Sequence, residues 1–474
     1  MKTILRLFSV SLTICLFVLL LSGCLFGSPA EESRTGTEDD SAVSDSAPET
    51  QSGEITETET AETGTGKIYP PIVPKGTAYL YGKTDKEAMS YHIGEPIRFQ
   101  VRLTDTASFS TTYPCAKLVW NAEADDGQTW SGEADGGTGT ASLEFFMTAP
   151  GSIKVTVTAC DGDGRELSNV KPFVGGAICE FDQIRTGKEC PSDFDSFWAA
   201  QLAELDPIEP KLLYRDAADS PNSGFNAYTI AIPTQDPNAP ATGYLTIPKN
   251  AKAGSLKIRM SFYGYNASFS PSPQCNSGCI TLTVNAHSIA NGREKSYYTN
   301  LQNGALKDYG FSAEDYKDPS QSYFRNMILR DVQALRYLKT IPEWNGRDIQ
   351  LTGGSMGAFQ ATAVAALEPG VTDLSVFIVW MCDVSGRSVG RLAGWLPEYT
   401  DNLNYFDSVN FASRVKCPTT ISQAGLIDYT ATPTGVAAYY NALRVKKSVT
   451  FVQSADHTLS PIRRETYSKS GYGQ

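Results

Sequence analysis

The hydrophobic pattern changes its period part-way along the chain, and this change constrains the fold more than any other feature. Between residues 67 and 176, apolar and polar residues alternate along short segments such as 97–103 and 153–157. A period of two is typical of strands with one buried face, and Asp-Gly or Pro-Gly turns separate these segments. We expect residues 67–176 to form a small antiparallel β-sandwich of immunoglobulin-like type.

From residue 177 to residue 474 the pattern becomes that of an α/β protein. Apolar residues recur at helical spacing from Phe324 to Leu338, before Pro342, and Ser192 is expected to cap an earlier helix. Apolar strand-like runs alternate with such helices, at 228–232, 256–262, 280–284, 349–352, 376–381, 419–423 and 449–452. This order predicts a mostly parallel sheet that is covered by helices.

The first 24 residues have the layout of an export signal. Lys2 and Arg6 precede an apolar run over 7–21, and the sequence Leu-Ser-Gly-Cys ends at Cys24. The run is short for a membrane span, although an uncleaved membrane helix is the alternative. Because a cysteine directly after a small residue resembles the bacterial lipoprotein cleavage site, we expect Cys24 to carry a lipid. This predicts a protein anchored in the bacterial cell envelope, outside the cytoplasm.

Residues 25–66 are rich in Ser, Thr, Glu and Gly and contain almost no large apolar side chains. Such a segment cannot bury enough surface to offset the entropy of ordering, so we expect a disordered tether. Residues 28–66 hold eleven acidic side chains against one arginine and contribute −10 to the net charge of −12. The folded remainder is nearly balanced and has no basic cluster, which argues against a nucleic-acid partner.

Cysteine usage agrees with an exported chain. Ten cysteines are present, and removal of Cys15 with the signal and of Cys24 to lipid leaves eight. An even number favours disulfides outside the cytoplasm. Neighbouring positions suggest three pairs: Cys115 with Cys160, Cys179 with Cys190, and Cys275 with Cys279. Only three histidines and no paired Cys-x-x-Cys occur, so we predict no metal cofactor.

Two Gly-x-Ser-x-Gly sequences occur, one centred on Ser355 and one on Ser388. A serine on a sharp strand-to-helix turn needs such small neighbours to reach its strained backbone conformation. Ser355 follows the strand-like run 349–352 and precedes a helix of small residues at 358–367, whereas glycine and proline interrupt the sequence after Ser388. We therefore predict Ser355 as a nucleophile and interpret Ser388 as part of a loop.

A serine hydroxyl is a weak nucleophile and needs a general base, for which the chain offers three histidines. His92 lies in the predicted sandwich. His287 precedes Ser355, which contradicts the order of Ser, acid and His in α/β-hydrolases. His457 lies just past the last strand-like run, where a loop at the carboxyl end of the sheet reaches the nucleophile, so we predict His457 as the base.

The acid that orients the imidazole is predicted to be Asp428, just beyond the strand-like run 419–423. Asp383 and Asp456 are the alternatives. The oxyanion hole combines the amide after the nucleophile with one from a loop after an earlier strand. We predict the amides of Met356 and Tyr265 for these two positions.

Residues from 177 to the C-terminus resemble the acetyl xylan esterase domain, a carbohydrate esterase family that includes cephalosporin C deacetylases. The resemblance is carried by 191–198, Gly264-Tyr265, Arg330-Asp331, Gly354-Ser355, 425–428 and Asp456-His457. It implies an α/β-hydrolase fold in which Ser355, Asp428 and His457 are the triad and the two amides above form the oxyanion hole. It also implies removal of acetyl groups from xylan or xylo-oligosaccharides.

Three positions depart from the family pattern. Met356 follows the serine where the family has Gln, residues 285–287 read Asn-Ala-His instead of Arg-Gly-Gln, and Thr458 stands in place of Glu. The roles supplied by backbone amides survive these changes. The changes weaken the inference of narrow acetyl specificity and of the family's hexameric ring, so the sequence leaves the oligomeric state open.

The sequence also suggests residues that contact the substrate. We predict that His287 lines the pocket and that Trp395, with Trp380 and Tyr399, flanks a sugar, although core or lid packing is an equal alternative for these aromatic residues. The same triad also suits feruloyl, glucuronoyl or peptide acyl groups. A third interpretation is a non-catalytic surface lipoprotein whose sandwich binds polysaccharide, and the intact Ser, Asp and His argue against it.

Overall fold

The computed structural model describes residues 76–473 except residues 106, 107 and 393. The predicted signal peptide, the predicted lipid attachment at Cys24 and the predicted tether lie outside the described residues. Within that part of the chain, every helix is too short or too polar to cross a membrane.

The N-terminal part of the described chain forms two four-stranded sheets, in the orders β5-β2-β1-β7 and β4-β3-β6-β8. The strands are β1 Ala78–Thr84, β2 Ile97–Asp105, β3 Lys117–Ala124, β4 Thr129–Asp135, β5 Thr140–Phe145, β6 Gly151–Cys160, β7 Val170–Lys171 and β8 Phe173–Cys179. Strand β8 therefore extends three residues past the predicted end of the sandwich.

The two sheets pack face to face because strands such as β2 bury alternate residues. In β2, Phe99 and Val101 are buried while Gln100 between them is exposed. The Phe99 ring contacts the Phe173 ring of the opposite sheet, with 6.2 Å between ring centroids. The period-two pattern thus correctly predicted a β-sandwich.

The C-terminal part combines a ten-stranded sheet, in the order β18-β17-β16-β15-β14-β12-β13-β11-β10-β9, with six described α-helices. The elements are α1 Phe194–Ala203, β9 Tyr214–Ala218, β10 Phe225–Ile232, β11 Ala241–Pro248, β12 Leu256–Phe262, β13 Cys279–Asn285, α2 Lys295–Asn303, α3 Tyr323–Leu338, β14 Trp344–Gly354, α4 Met356–Leu367, β15 Asp373–Phe377, α5 Ser408–Ala412, β16 Thr419–Gly425, α6 Pro433–Ala442, β17 Lys446–Val452 and β18 Thr466–Tyr472. Short 3-10 helices cover Phe181–Gln183, Ala313–Tyr316, Pro319–Gln321, Gly386–Val389 and Asp401–Phe406.

Strands β13, β12, β14, β15, β16 and β17 are neighbours in this sheet and run parallel to one another. The antiparallel strands flank them on both sides. The carboxyl ends of the parallel strands therefore meet at one edge of the sheet, where ligands bind in open α/β folds. The mostly parallel sheet predicted from the sequence is confirmed.

Two local predictions were wrong. The residue that precedes helix α1 is Asp193 rather than Ser192, and its side chain makes no capping hydrogen bond. The run 376–381 was predicted as a strand, but β15 ends at Phe377. The backbone then turns, with φ of 41° at Ile378 and 56° at Met381, and these positive values do not continue a strand. An apolar run marks burial and does not distinguish a strand from a buried turn.

The disulfide prediction is also corrected, because all eight cysteines among the described residues are free. The predicted pairs, Cys115 with Cys160, Cys179 with Cys190 and Cys275 with Cys279, are not formed. In two of these pairs a sulfur has another partner: Cys190 Sγ lies 3.8 Å from Arg414 Nη1, and Cys275 Sγ lies 3.6 Å from Ser220 Oγ. An even number of cysteines does not place two sulfur atoms within bonding distance.

Candidate active site

Ser355 occupies the sharp turn between β14 and α4. Its φ of 56° and ψ of −125° are strained for a residue with a side chain. The turn closes this tightly because its neighbours are glycines: a Cβ at Gly353 would overlap the Gly357 carbonyl, and a Cβ at Gly357 would overlap the Phe262 carbonyl. The small residues around the serine are thus required by close approach of the backbone.

Ser355, His457 and Asp428 form one hydrogen-bonded line. His457 Nε2 lies 3.0 Å from Ser355 Oγ, and His457 Nδ1 lies 2.8 Å from Asp428 Oδ2. A carboxylate only accepts, so Nδ1 carries the proton of a neutral imidazole and Nε2 is free to accept the serine proton. The Asp428 side chain is buried, whereas the His457 side chain is 29% exposed.

The acid is held by the backbone of its own loop. Asp428 Oδ1 accepts hydrogen bonds from the amides of Thr430, at 2.7 Å, and Ala431, at 2.9 Å. These bonds leave Oδ2 for the imidazole. Asp428 follows β16, as His457 follows β17 and Ser355 follows β14, so the parallel sheet brings the three side chains to its carboxyl edge.

The alternative candidates lie elsewhere. His92 is an exposed sandwich residue that lies 3.3 Å from Glu180. Asp383 forms an ion pair with Arg391. The exposed Asp456 accepts from the backbone amide of Thr458, and Ser388, in a short 3-10 helix, donates to the backbone carbonyl of Ser385. None of these four bonds involves the nucleophile.

The two predicted oxyanion amides belong to segments that flank Ser355. Met356 is the first residue of α4, so its amide has no partner within the helix. The segment 263–266, which we call the oxyanion loop, follows β12. A Cβ placed on Gly264 would lie 3.7 Å from the Ser355 Cβ, so this loop passes beside the nucleophile.

A buried tyrosine links these two segments, and the sequence did not reveal it. The Tyr309 hydroxyl accepts from the Asn266 amide at 3.0 Å and donates to Met356 Sδ at 3.4 Å. Its ring stacks on that of Tyr265 with 4.0 Å between centroids. Burial raises the pKa of Tyr309 well above its ordinary value, so the hydroxyl keeps its proton. No motif surrounds Tyr309, and only the tertiary contact identifies it.

His287 supports the same loop. Nε2 lies 2.7 Å from the Asn266 carbonyl, which only accepts, so Nε2 carries the proton. Nδ1 then accepts from the Tyr323 hydroxyl at 2.6 Å. Burial lowers the pKa of His287 to about 4, so the ring is neutral. Both nitrogens are occupied and the side chain is buried, which corrects the prediction that His287 contacts substrate directly.

Aromatic rings cover the oxyanion loop on its outer side. The Trp395 ring contacts the rings of Tyr265, at 4.9 Å, and Phe311, at 4.6 Å, yet 38% of Trp395 stays exposed. The Trp395 amide donates to the carbonyl of Tyr429, which follows the acid and is 60% exposed. Trp380 is fully buried beneath Trp395 and donates through Nε1 to its carbonyl, so Trp380 is a core residue.

Tyr399, the third predicted sugar neighbour, is half-buried and donates to Asp401. Its hydroxyl also accepts from the Asn404 amide group at 2.9 Å. Within the described residues, no group of three or more His, Cys, Asp and Glu side chains is arranged to hold a metal ion.

Several known proteins are similar to this chain over much of its length. The model of a family described as acetyl xylan esterase (AXE1) matches residues 177–389 and 398–468. The acetyl esterase Axe7A of Xylanibacter ruminicola is 25% identical over 345 residues, which cover 69% of this chain and 76% of that protein. An acetyl xylan esterase structure from Paenibacillus sp. R4 is 20% identical, covers 59% of this chain and 93% of its own, and has a TM-score of 0.49. The structure of acetyl xylan esterase 1 from Thermoanaerobacterium sp. JW/SL YS485 is also 20% identical. It covers 60% of this chain and 93% of its own, with a TM-score of 0.48.

Proposed function

The chain belongs to the acetyl xylan esterase (AXE1) family, and on this premise we propose that it deacetylates xylan or xylo-oligosaccharides through a serine-bound acyl-enzyme. Membership makes the protein a carboxylic ester hydrolase of α/β-hydrolase fold. The proposal adds the polymer, the nucleophile and the covalent intermediate.

In the proposed acylation step, Ser355 Oγ attacks the acetyl carbonyl carbon while His457 Nε2 takes the hydroxyl proton. The amides of Met356 and Tyr265 stabilise the oxyanion of the tetrahedral intermediate. Collapse breaks the bond to the sugar oxygen, which leaves with the proton from His457. Asp428 holds the imidazole in the required tautomer and stabilises its charged form.

In deacylation, water attacks the acetyl-serine carbonyl and gives a proton to His457 Nε2. The second tetrahedral intermediate releases acetate, and the proton returns to Ser355 Oγ. The single observation that carries this proposal is the continuous line from Asp428 through His457 to Ser355, at 2.8 Å and 3.0 Å, with the serine on a strained turn.

We assign the sugar to the exposed faces of Trp395 and Tyr429. Both are large aromatic residues with water on one side, and Trp395 packs against the ring of Tyr265 in the oxyanion loop. Aromatic rings with one wet face combine a large apolar contact area with polar edges, which suits a partly polar ligand. A sugar seated there lies beside the proposed site of acyl transfer.

The test is the release of acetate from acetylated xylan, followed by mass spectrometry, alongside a panel of feruloyl, glucuronoyl and peptide substrates. Ser355→Ala is expected to abolish release. Ser388→Ala, in the second Gly-x-Ser-x-Gly sequence, is the matched control and should keep full activity. Full activity in Ser355→Ala would contradict the serine mechanism, and a preference for another acyl group in the panel would contradict the acetyl assignment.

The cellular location of the protein is a separate part of the proposal. The N-terminal sequence up to Cys24 resembles a lipoprotein signal, so we propose that the enzyme is lipid-anchored on the outer side of a bacterial membrane. Incorporation of a labelled fatty acid into the wild-type protein, and its loss in Cys24→Ser, would support the anchor. Equal labelling of both proteins would contradict it.

A further inference from the structure

The loop that carries His457 begins and ends on contacts with the β-sandwich. This segment, residues 453–465, connects β17 to β18 and is called the base loop here. The Gln453 amide donates to the Glu465 carbonyl at 2.9 Å, so the two ends of the base loop are joined to each other. At this joint Tyr81 of β1 donates its hydroxyl proton to the Glu465 carboxylate.

Gln453 is the residue at which the sandwich and the base loop share most hydrogen bonds. Its Nε2 donates to the Gly176 carbonyl of β8 at 2.6 Å, and the Gly176 amide donates to the Gln453 carbonyl at 3.3 Å. Its Oε1 accepts from Tyr467 Oη at 2.7 Å and from the Thr84 amide of β1 at 3.5 Å. The same Oε1 lies 3.2 Å from Thr84 Oγ1, whose one proton is shared with the Lys86 carbonyl at 2.8 Å. Gln453 is only 1% exposed, so water does not compete for these partners.

The same sandwich glycine touches the chain that leads to the acid. A Cβ on Gly176 would overlap the carbonyl oxygen of Leu426, two residues before Asp428. The Leu426 amide donates to the Val452 carbonyl at 3.0 Å, and the Ile427 amide donates to the Ala455 carbonyl at 3.2 Å. The acid and base loops are therefore bonded to each other, and β8 contacts both.

We propose that strands β1 and β8 of the sandwich position the acid and the base, with Gln453 as the positioning residue. The sandwich is then a structural part of the active site. The inference rests on the proposed serine mechanism and extends it. Thr84 and Gly176 both lie outside the residues that match the family model, so this support comes from the part of the chain that precedes the esterase domain.

The physical argument is that an imidazole must lie within hydrogen-bond reach of both the serine and the acid. A displacement of about 1 Å at a catalytic group costs roughly 100-fold in rate. His457 lies four residues from Gln453, and the contacts of Gln453 fix where that segment starts. Loss of these contacts should reduce kcat, whereas KM should stay constant because the aromatic residues that we assign to the sugar, Trp395 and Tyr429, are not part of this set.

The test compares three variants of the full chain by hydrolysis of 4-nitrophenyl acetate. Thr84→Val keeps the shape of the side chain and removes the hydroxyl that lies 3.2 Å from Gln453 Oε1. Gly176→Ala pushes against Leu426, and Gln453→Ala removes the side-chain bonds to Gly176 and Thr84 while the backbone bond to Gly176 remains. We expect kcat to fall about 10-fold in Thr84→Val and about 100-fold in Gln453→Ala, with KM within twofold of wild type. The rate at which an alkyl phosphonate ester labels Ser355 should fall in parallel, because this reaction needs the same base.

Lys469→Met is the matched control. It removes a polar contact of 2.8 Å between β18 and Asp182, near the same interface, without touching the base loop, and it should leave kcat and the labelling rate unchanged. Activities are compared at one temperature, well below the Tm of each variant. If Gln453→Ala does not fold, the isosteric Thr84→Val still decides the result.

Unchanged kcat and labelling in folded Thr84→Val and Gln453→Ala would overturn the proposal and leave the sandwich with a packing role only. A rise in KM at constant kcat would also overturn it, because it would indicate substrate contact. Ser355→Ala is assayed in parallel: if it retains activity, the serine mechanism fails, whereas inactive Ser355→Ala beside fully active sandwich variants rejects this inference alone.

Discussion

The oxyanion loop and the base loop face the same serine, yet different parts of the molecule hold them. The oxyanion loop is bonded to His287 and Tyr309, which belong to the α/β part and are buried there. The base loop is bonded at both ends to the sandwich, through Gln453 and Glu465. In our proposal, stabilisation of the oxyanion is thus internal to the esterase domain, whereas proton transfer depends on the domain that precedes it.

The difference also concerns the kind of contact. Aromatic stacking and a neutral histidine hold the oxyanion loop, and the rings of Tyr265 and Tyr309 lie 4.0 Å apart. The base loop is held by amide and hydroxyl groups in a hydrogen-bonded network. In a hydrogen-bonded network each member satisfies its neighbour, so the loss of one polar group leaves another group without its partner.

The largest expected effect on kcat comes from a change in the hydrogen bond between Asp428 and His457. Asp428→Asn keeps the shape of the side chain but favours the wrong imidazole tautomer, so we expect kcat to fall by about 10⁴-fold. KM for 4-nitrophenyl acetate should change little. Steady-state kinetics checks this, and a loss below tenfold would point to Asp383 or Asp456 as the acid.

A second prediction concerns the stability of the oxyanion side at low pH. The pKa of His287 is lowered from 6.5 to about 4, because burial disfavours the charged ring. The unfolded chain therefore binds a proton that the folded chain does not as the pH falls from about 6.5 to about 4, and stability is lost across that window. His287→Gln keeps a donor for Asn266 and an acceptor for Tyr323 without titrating.

We expect the wild type to lose about 2–3 kcal/mol more of its free energy of unfolding than His287→Gln between pH 7 and pH 4. Urea unfolding at the two pH values measures this difference. Parallel losses in the two proteins would show that His287 takes up its proton as readily in the folded chain as in the unfolded chain.

The third prediction tests whether the oxyanion loop and the base loop are held independently of each other. Tyr309→Phe keeps the stacked ring and removes the hydroxyl that joins Asn266 to Met356, and we expect kcat to fall about 10-fold because the oxyanion amides lose their alignment. Combined with Thr84→Val, the two factors should multiply, since separate contacts hold the two loops. A double variant no worse than the poorer single variant would indicate that the loops move as one.

The smallest effect is expected at Trp395, whose ring contacts that of Tyr265 at 4.9 Å but which is 38% exposed. Trp395→Ala should raise KM for an acetylated xylo-oligosaccharide about threefold while leaving 4-nitrophenyl acetate hydrolysis nearly unchanged. The comparison of the two substrates is the measurement. An equal loss on both would mean that Trp395 supports Tyr265 rather than binding sugar.

Much of the fold followed from the sequence because its signals are local. Alternation in β2 and helical spacing in α3 depend on neighbours a few residues apart, and both elements formed as expected. Ser355, Asp428 and His457 were predicted as a triad because the chain has few histidines and because only His457 fits the order of Ser, acid and His. The structure brings these three side chains together.

The supports of the site were not predictable in this way. Tyr309 meets Met356 across 47 residues, and Gln453 meets Gly176 across 277, and no periodicity records contacts at such separation. His287 was predicted to line the pocket because residues 285–287 stand where the family has Arg-Gly-Gln, but sequence does not tell which way a buried ring points. The turn after Phe377 was mistaken for a strand for the same reason: burial is visible in the sequence, and backbone direction is not.

The contact of Gly176 with Leu426 has a consequence for how this enzyme is engineered or diversified. Domain boundaries usually fall in exposed linkers that make few contacts and tolerate changes of sequence. Here the joint is a position without room for a methyl group, and it sits against the backbone that leads to the acid. A replacement module must therefore reproduce the edge formed by β1 and β8, so we expect the sandwich to be exchangeable only together with the esterase that it contacts.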